Sequence, residues 1–188
     1  MSGAVVQVLT LCHGKNYNLG NGFAITTQHV ITARHVVRCK DGSEPYLIKT
    51  QRRDLTVSEV VVDKEANEDI DVVRLVAIKG RRPYQGAWVN ATTKVPQLHQ
   101  TICVITGVGV EKCGKVISVT DGMVWIGLRV VKGNSGAPVY DSDGRVCAVL
   151  VASGSATPAD EYLGVGIITE RWKNLLIQDI PDLFPEML

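Results

Sequence analysis

An all-β fold, barrel or sandwich, is what this sequence predicts, with a single helix at its C-terminal end. Three observations point there. Runs rich in β-branched residues recur at intervals of about 8–12 residues, with turn signals between them. Gly, Asn, Asp and Pro supply those signals, and the 18 glycines are spread along the whole chain. Helical periodicity is convincing only near the C-terminal end.

The elements follow in order. Val5–Leu11 is the first run, then Gly22–Ile25 and Val30–Thr32, separated by a polar turn. Val57–Val62 alternates imperfectly, and Ile70–Ile78 is dense in branched side chains. Further runs are Ile102–Val108, Lys115–Val119, Met123–Leu128 and Ala137–Tyr140. Asp143-Gly144 is a hairpin signal that leads into Val146–Val151. Leu163–Ile168 is the last strand expected. After it, Thr169 is placed to cap a helix whose Trp172, Leu175 and Leu176 share one face, with Pro181 to stop it. The stretch Gly80-Arg81-Arg82-Pro83-Tyr84-Gln85-Gly86 is polar and breaker-rich, so it reads as a linker. It divides the chain into residues 1–79 and 87–188, both β-rich.

Composition narrows the function classes. The chain has 188 residues, 45% of them hydrophobic and 21% charged. That is too apolar for a disordered tail. Twenty Lys and Arg against 19 Asp and Glu leave a net charge of +1, which is no electrostatic footprint for nucleic acid. The arginine pairs Arg52-Arg53 and Arg81-Arg82 read as solvated loop charges. Val146–Ala152 is the longest apolar run, far short of the roughly 18 residues of a membrane span. Ala4–Thr10 is too short, and lacks the basic flank, for a signal peptide. Five cysteines at no metal-like spacing read as reduced, buried thiols of an intracellular protein. With no His/Cys cluster and no phosphate-cradling glycine loop, neither a metal nor a cofactor is expected.

Three segments carry chemistry. The first is Gly20-Asn21-Gly22-Phe23-Ala24-Ile25 followed by Val30-Ile31-Thr32-Ala33-Arg34-His35-Val36; Asp69-Ile70-Asp71-Val72-Val73-Arg74-Leu75 comes next; Lys132-Gly133-Asn134-Ser135-Gly136-Ala137-Pro138-Val139 comes last. Each alone is weak. Together they supply what acyl transfer needs. A serine hydroxyl becomes a nucleophile when a neighbouring base takes its proton. Histidine can take and return that proton near neutrality. A carboxylate fixes the imidazole tautomer and stabilises the imidazolium. Glycines beside the serine let backbone N–H groups face a developing oxyanion. Asp69 and Asp71 fall on the same side of a strand, so periodicity does not separate them.

The order His, Asp, Ser, carried by T-A-x-H-V, D-I-x-V-V-x-L and G-N-S-G-A-P-V, resembles the chymotrypsin-like serine proteases over nearly the whole chain. The resemblance implies two six-stranded antiparallel β-barrels with the site in the cleft between them. It implies His35 as general base, Asp69 as the orienting carboxylate, and Ser135 as nucleophile, with Gly133 and Ser135 donating the oxyanion-hole N–H groups. Asp69 is preferred over Asp71 because the family places its acid first in D-I-x-V. His29 stands where the family has a packing residue. Asn134 stands where digestive members carry an Asp that pairs with a new N-terminal amine, so maturation without that switch is expected.

The compact length and the expected free thiols make the chain similar to proteases of positive-strand RNA virus polyproteins, most of all the astrovirus type. A polypeptide substrate, a viral polyprotein, and a place in the host cytoplasm are implied. A cellular high-temperature-requirement protease domain, or an idle family member serving as a binding module, are the alternatives. By resemblance the pocket for the residue before the scissile bond involves Arg129, Val130, Lys132, Val151, Ala152 and Ser153. No acidic residue lies among them, and the guanidinium of Arg129 would favour cleavage after Glu or Asp.

Overall fold

The computed structural model describes residues 4–26, 29–51, 58–62, 70–77, 90–131, 133–154 and 163–175. Its strands are β1 (Val5–Leu11), β2 (Tyr17–Ala24), β3 (His29–Ala33), β4 (Leu47–Gln51), β5 (Ser58–Val62) and β6 (Val72–Ala77), then β7 (Thr101–Ile105), β8 (Glu111–Thr120), β9 (Met123–Ile126), β10 (Pro138–Tyr140), β11 (Val146–Gly154) and β12 (Leu163–Ile168). They form two closed antiparallel barrels, in the orders β1-β2-β3-β6-β5-β4 and β10-β11-β12-β9-β8-β7. Closure leaves neither sheet an open edge. The expected all-β fold of two six-stranded barrels is therefore the one observed.

Strand alternation explains which side chains fill the barrels. Along β1, Val6, Val8 and Thr10 are fully buried, while Gln7, Leu9 and Leu11 are half-buried. The first barrel's core, with Phe23, Ile31, Val72 and Leu75, continues into Val146, Val149, Val151 and Ile167 of the second. The two barrels thus share packed apolar surface. Trp172 is wholly buried and meets Phe23 edge-on, with ring centroids 6.2 Å apart. Such a pair adds about 0.5–1.5 kcal/mol beyond its burial. The indole N–H donates to the Ile167 carbonyl, so no polar group is stranded there.

Several expectations need correction. β4 was not expected: Leu47-Ile48-Lys49-Thr50-Gln51 is short and mixed in character, and it is held by pairing with β1 rather than by its own pattern. The run Ile102–Val108 ends early, because Thr106 turns the chain and its backbone N–H bonds the Val110 carbonyl. The helix is a single turn, Thr169–Trp172, followed by a 3-10 turn at Lys173–Leu175. Thr169 is not its cap. Its hydroxyl donates instead to the Val146 carbonyl at 3.2 Å, tying the helix to β11. The linker at 80–86, Arg52-Arg53, Leu176 and Pro181 lie outside the described residues.

The reduced state expected of the cysteines is overturned. Cys12 pairs with Cys39 and Cys103 with Cys113, and only Cys147 is free. Linear spacing does not report this pairing, because it depends on which distant segments the fold brings together. Cys103 and Cys113 lie directly opposite in the β7–β8 register.

Candidate active site

His35 sits on a one-turn 3-10 helix, Arg34–Val37, that ends β3. Neighbouring β6 runs antiparallel, with Ala33 opposite Val72. This register brings Asp71, the residue before β6, beside the turn. The Arg34 N–H donates to the Asp71 carbonyl at 3.1 Å, and the His35 N–H to Asp71 Oδ1 at 2.8 Å. The ring Nδ1–H donates to Asp71 Oδ2 at 2.5 Å. A carboxylate only accepts, so this contact puts a proton on Nδ1, and in the neutral ring Nε2 is then the atom that carries the lone pair. The carboxylate on His35 is therefore that of Asp71. The assignment to Asp69 gives way to it, since backbone register rather than motif position decides which side chain reaches the ring. Asp69 itself lies outside the described residues.

Ser135 is on the loop that enters β10. Gly133 and Gly136 flank it in left-handed conformations, with φ of +98° and +89°. At Gly136 no other residue fits, because a Cβ would lie 1.8 Å from the Asn21 carbonyl oxygen. The loop is braced from within by Asn134. Its Oδ1 accepts from the Val131 N–H at 2.9 Å, and its own N–H donates to the Val131 carbonyl at 3.1 Å. Asn134 thus holds the loop through its side-chain acceptor and its own backbone. The N–H groups of Gly133 and Ser135 donate to no acceptor among the described residues.

His35 and Ser135 line the same groove, about 930 Å³ in volume, between the barrels. The Ser135 hydroxyl donates to the Val151 carbonyl at 3.1 Å rather than to His35. That carbonyl is exposed to the loop by a bulge. Leu150 pairs with Gly166 and Ala152 with Val165, which leaves Val151 without a partner on β12. A rotation about the Ser135 side chain is needed to face the imidazole, as apo sites commonly require.

The first-barrel wall of the groove includes Tyr17, Leu19, Arg38 and Lys40. Beside Ser135 the opposite wall is aliphatic, formed by Val130, Val131, Leu150 and Val151. Behind it a Cβ on Gly164 would meet Leu128, Leu150 and Val130 at ordinary van der Waals distance. Val130 and Val151 line the groove that holds Ser135. Arg129 does not: it is exposed, its carbonyl accepts from Lys112 Nζ at 3.1 Å, and it is not among the residues lining the groove. Its neighbours Leu128 and Val130 are buried while Arg129 itself faces outward on the segment after β9. Lys132 lies outside the described residues, and Ala152 and Ser153 are described only as strand backbone.

His29 has a structural role, its Nδ1 bonded to Thr26 Oγ1 at 2.8 Å within the β2–β3 turn. Gly107-Val108-Gly109 is a turn, closed by the Gly109 N–H on the Thr106 carbonyl. Among the described residues, Cys103, Glu111 and Cys113 are close enough to share a metal, but both sulfurs are committed to a disulfide.

Residues 20–149 match the trypsin-like peptidase domain family, more than half of the chain. The chain belongs to that family. Solved structures agree on the fold of this trypsin-like peptidase domain. The serine endoprotease from Yersinia pestis superposes with a TM-score of 0.75 at 17% identity, covering 96% of this chain and 64% of that one. The active form of the Rv3671c protease from M. tuberculosis gives a TM-score of 0.70 at 19% identity, over 93% and 80% of the two chains. Its inactive form gives 0.69 at 18% identity, over 94% and 89%. The trypsin-like peptidase domain therefore spans less than two thirds of the Yersinia chain. Among curated proteins none matches it by sequence.

Proposed function

We propose that the chain is a serine endopeptidase that hydrolyses peptide bonds through an acyl-enzyme. The observation that carries this reading is the meeting, in one groove, of Ser135 with an imidazole already oriented by Asp71. On substrate binding the Ser135 hydroxyl turns from the Val151 carbonyl toward His35. Nε2 takes its proton as Oγ attacks the scissile carbonyl. The oxyanion then accepts from the unengaged N–H groups of Gly133 and Ser135. His35 returns the proton to the leaving amine, and water, activated the same way, releases the acyl group.

The substrate is proposed to be a viral polyprotein, a reading that rests on the resemblance of the motifs and the compact length. Its companion, a place in the host cytoplasm, loses one argument, since two disulfides replace the expected thiols. For the residue before the scissile bond, the aliphatic wall favours a small apolar side chain. Cleavage after Glu or Asp rested on Arg129, which stands outside the groove.

A proteome-derived peptide library, with cleavage sites read by mass spectrometry, tests both parts. The reading predicts cleavage by the wild type, none by Ser135→Ala, and aliphatic residues before the cut. Equal cleavage by Ser135→Ala would remove the serine mechanism. Enrichment of Glu or Asp would restore the preference for acidic residues.

A further inference from the structure

Asn21 lies in the Gly20–Ile25 segment that precedes the histidine motif, where the sequence gives it no role of its own, and it hydrogen-bonds the nucleophile loop from the first barrel. It lies on β2 and is only 4% exposed. Its backbone N–H donates to the Ser135 carbonyl at 2.8 Å. Its side-chain Nδ2 donates to the Gly133 carbonyl at 2.7 Å. Its Oδ1 accepts from the Gly107 N–H at 2.7 Å, and its carbonyl accepts from Thr32 Oγ1 at 2.6 Å. The neighbours fix the amide's orientation, because a carbonyl needs a donor opposite it and an N–H needs an acceptor.

We propose that Asn21 is the positioning residue of the oxyanion hole. Two carbonyls of the loop, those of Gly133 and Ser135, are drawn to β2 by one residue. Each anchored carbonyl lies one peptide after a hole N–H, so the two bonds fix the Cα positions of Gly133 and Ser135 from which those N–H groups project. Oδ1 ties the same amide to Gly107, which belongs to the second barrel. The hole is thereby coupled to the docking of one barrel on the other. Burial keeps these bonds from competing water, so losing one is felt.

This inference rests on the serine-endopeptidase reading, and its test separates the two. Asn21→Asp keeps the acceptor for Gly107 and the backbone bond to Ser135 but removes the donor to Gly133. Amide hydrogen exchange, which needs no activity, is read on wild type and variant. Exchange in the 131–136 loop is expected to quicken about tenfold, as loss of one hydrogen bond implies, with the strands of both barrels unchanged. In kinetics, kcat on a cleaved peptide falls on the order of 10²–10³-fold with KM within about twofold, the pattern of a lost oxyanion contact. Affinity for a peptide aldehyde, whose hemiacetal oxygen occupies the hole, falls by the same factor. Asn21→Ser, too short to reach Gly133, gives the same pattern should the Asp variant not fold. Loop exchange unchanged from wild type, or quickened equally through the whole first barrel, overturns the proposal even if the wild type cleaves nothing. A fall in kcat matched by a rise in KM, with aldehyde affinity unchanged, overturns it as well.

Discussion

Asp71 engages His35 through both carboxylate oxygens, Oδ1 on the backbone N–H at 2.8 Å and Oδ2 on ring Nδ1 at 2.5 Å. One side chain therefore fixes where the histidine's backbone lies and which way its ring faces. Rotation of the ring would break one bond while the other still held the turn.

Replacing Asp71 by Asn keeps the shape but offers an N–H where the ring needs an acceptor. The imidazole then takes the wrong tautomer. Activity is expected to fall on the order of 10³–10⁴-fold in kcat. Asp69→Asn is expected to stay within a few-fold of wild type. Steady-state kinetics on one cleaved peptide decide between the two aspartates, and the reverse ranking would move the orienting role to Asp69.

Gly136→Ala probes the close approach of the two barrels at the nucleophile. The added Cβ meets the Asn21 carbonyl at 1.8 Å, and φ of +89° is unfavourable for alanine. The backbone strain alone costs about 1–3 kcal/mol. Urea unfolding should show a loss at or above that range, together with loss of activity. A fully stable, active alanine variant would mean that the loop does not pack on β2 as described.

Thiol titration tests the disulfides and the buried thiol together. Of five cysteines, four are paired and Cys147 is buried, so native protein should yield no reactive thiol and denatured protein one. Burial pushes the Cys147 thiol up to about 12 from 9.0. Between those values the unfolded chain loses a proton that the folded chain keeps. Stability from this group is complete below pH 9 and is lost as pH rises through about 12. Cys147→Ala should flatten that alkaline fall. Five reactive thiols on denaturation without reductant would restore the reduced state.

Arg129→Ala should leave the cleavage profile unchanged, because the side chain is exposed and stands apart from the groove lining. Val130→Phe, which fills the aliphatic wall, should narrow the profile toward smaller residues. Loss of cleavage after acidic residues in Arg129→Ala would reverse both statements.

Much of this architecture was legible in the residues. Val5–Leu11 coincides with β1, where burial of one face imposes alternation, and Leu163–Ile168 with β12, which is buried almost throughout and reads as a continuous apolar run. His35 and Ser135 were legible because their chemistry constrains the residues beside them. The carboxylate was not, since alternation in the sequence gives Asp69 and Asp71 the same phase, while it is the β3–β6 register that sets Asp71 beside the turn. The Cys103–Cys113 bridge was hidden for the same reason, being a property of β7 lying beside β8. Arg129 misled because motif position fixes a backbone place and not the direction of a side chain. Asn21 carried one weak signal, a polar residue between two glycines, Gly20 and Gly22, in a run otherwise headed for the core. Its partners lie 86 and 112 residues away, beyond any local pattern.

The central claim is that Ser135 is a nucleophile made reactive by His35. Covalent labelling with a fluorophosphonate, followed by peptide mapping, measures it most directly. The account predicts one adduct, on Ser135, absent in Ser135→Ala and strongly slowed in His35→Ala at unchanged melting temperature. Labelling of another residue, or of Ser135 at the same rate without His35, would contradict it.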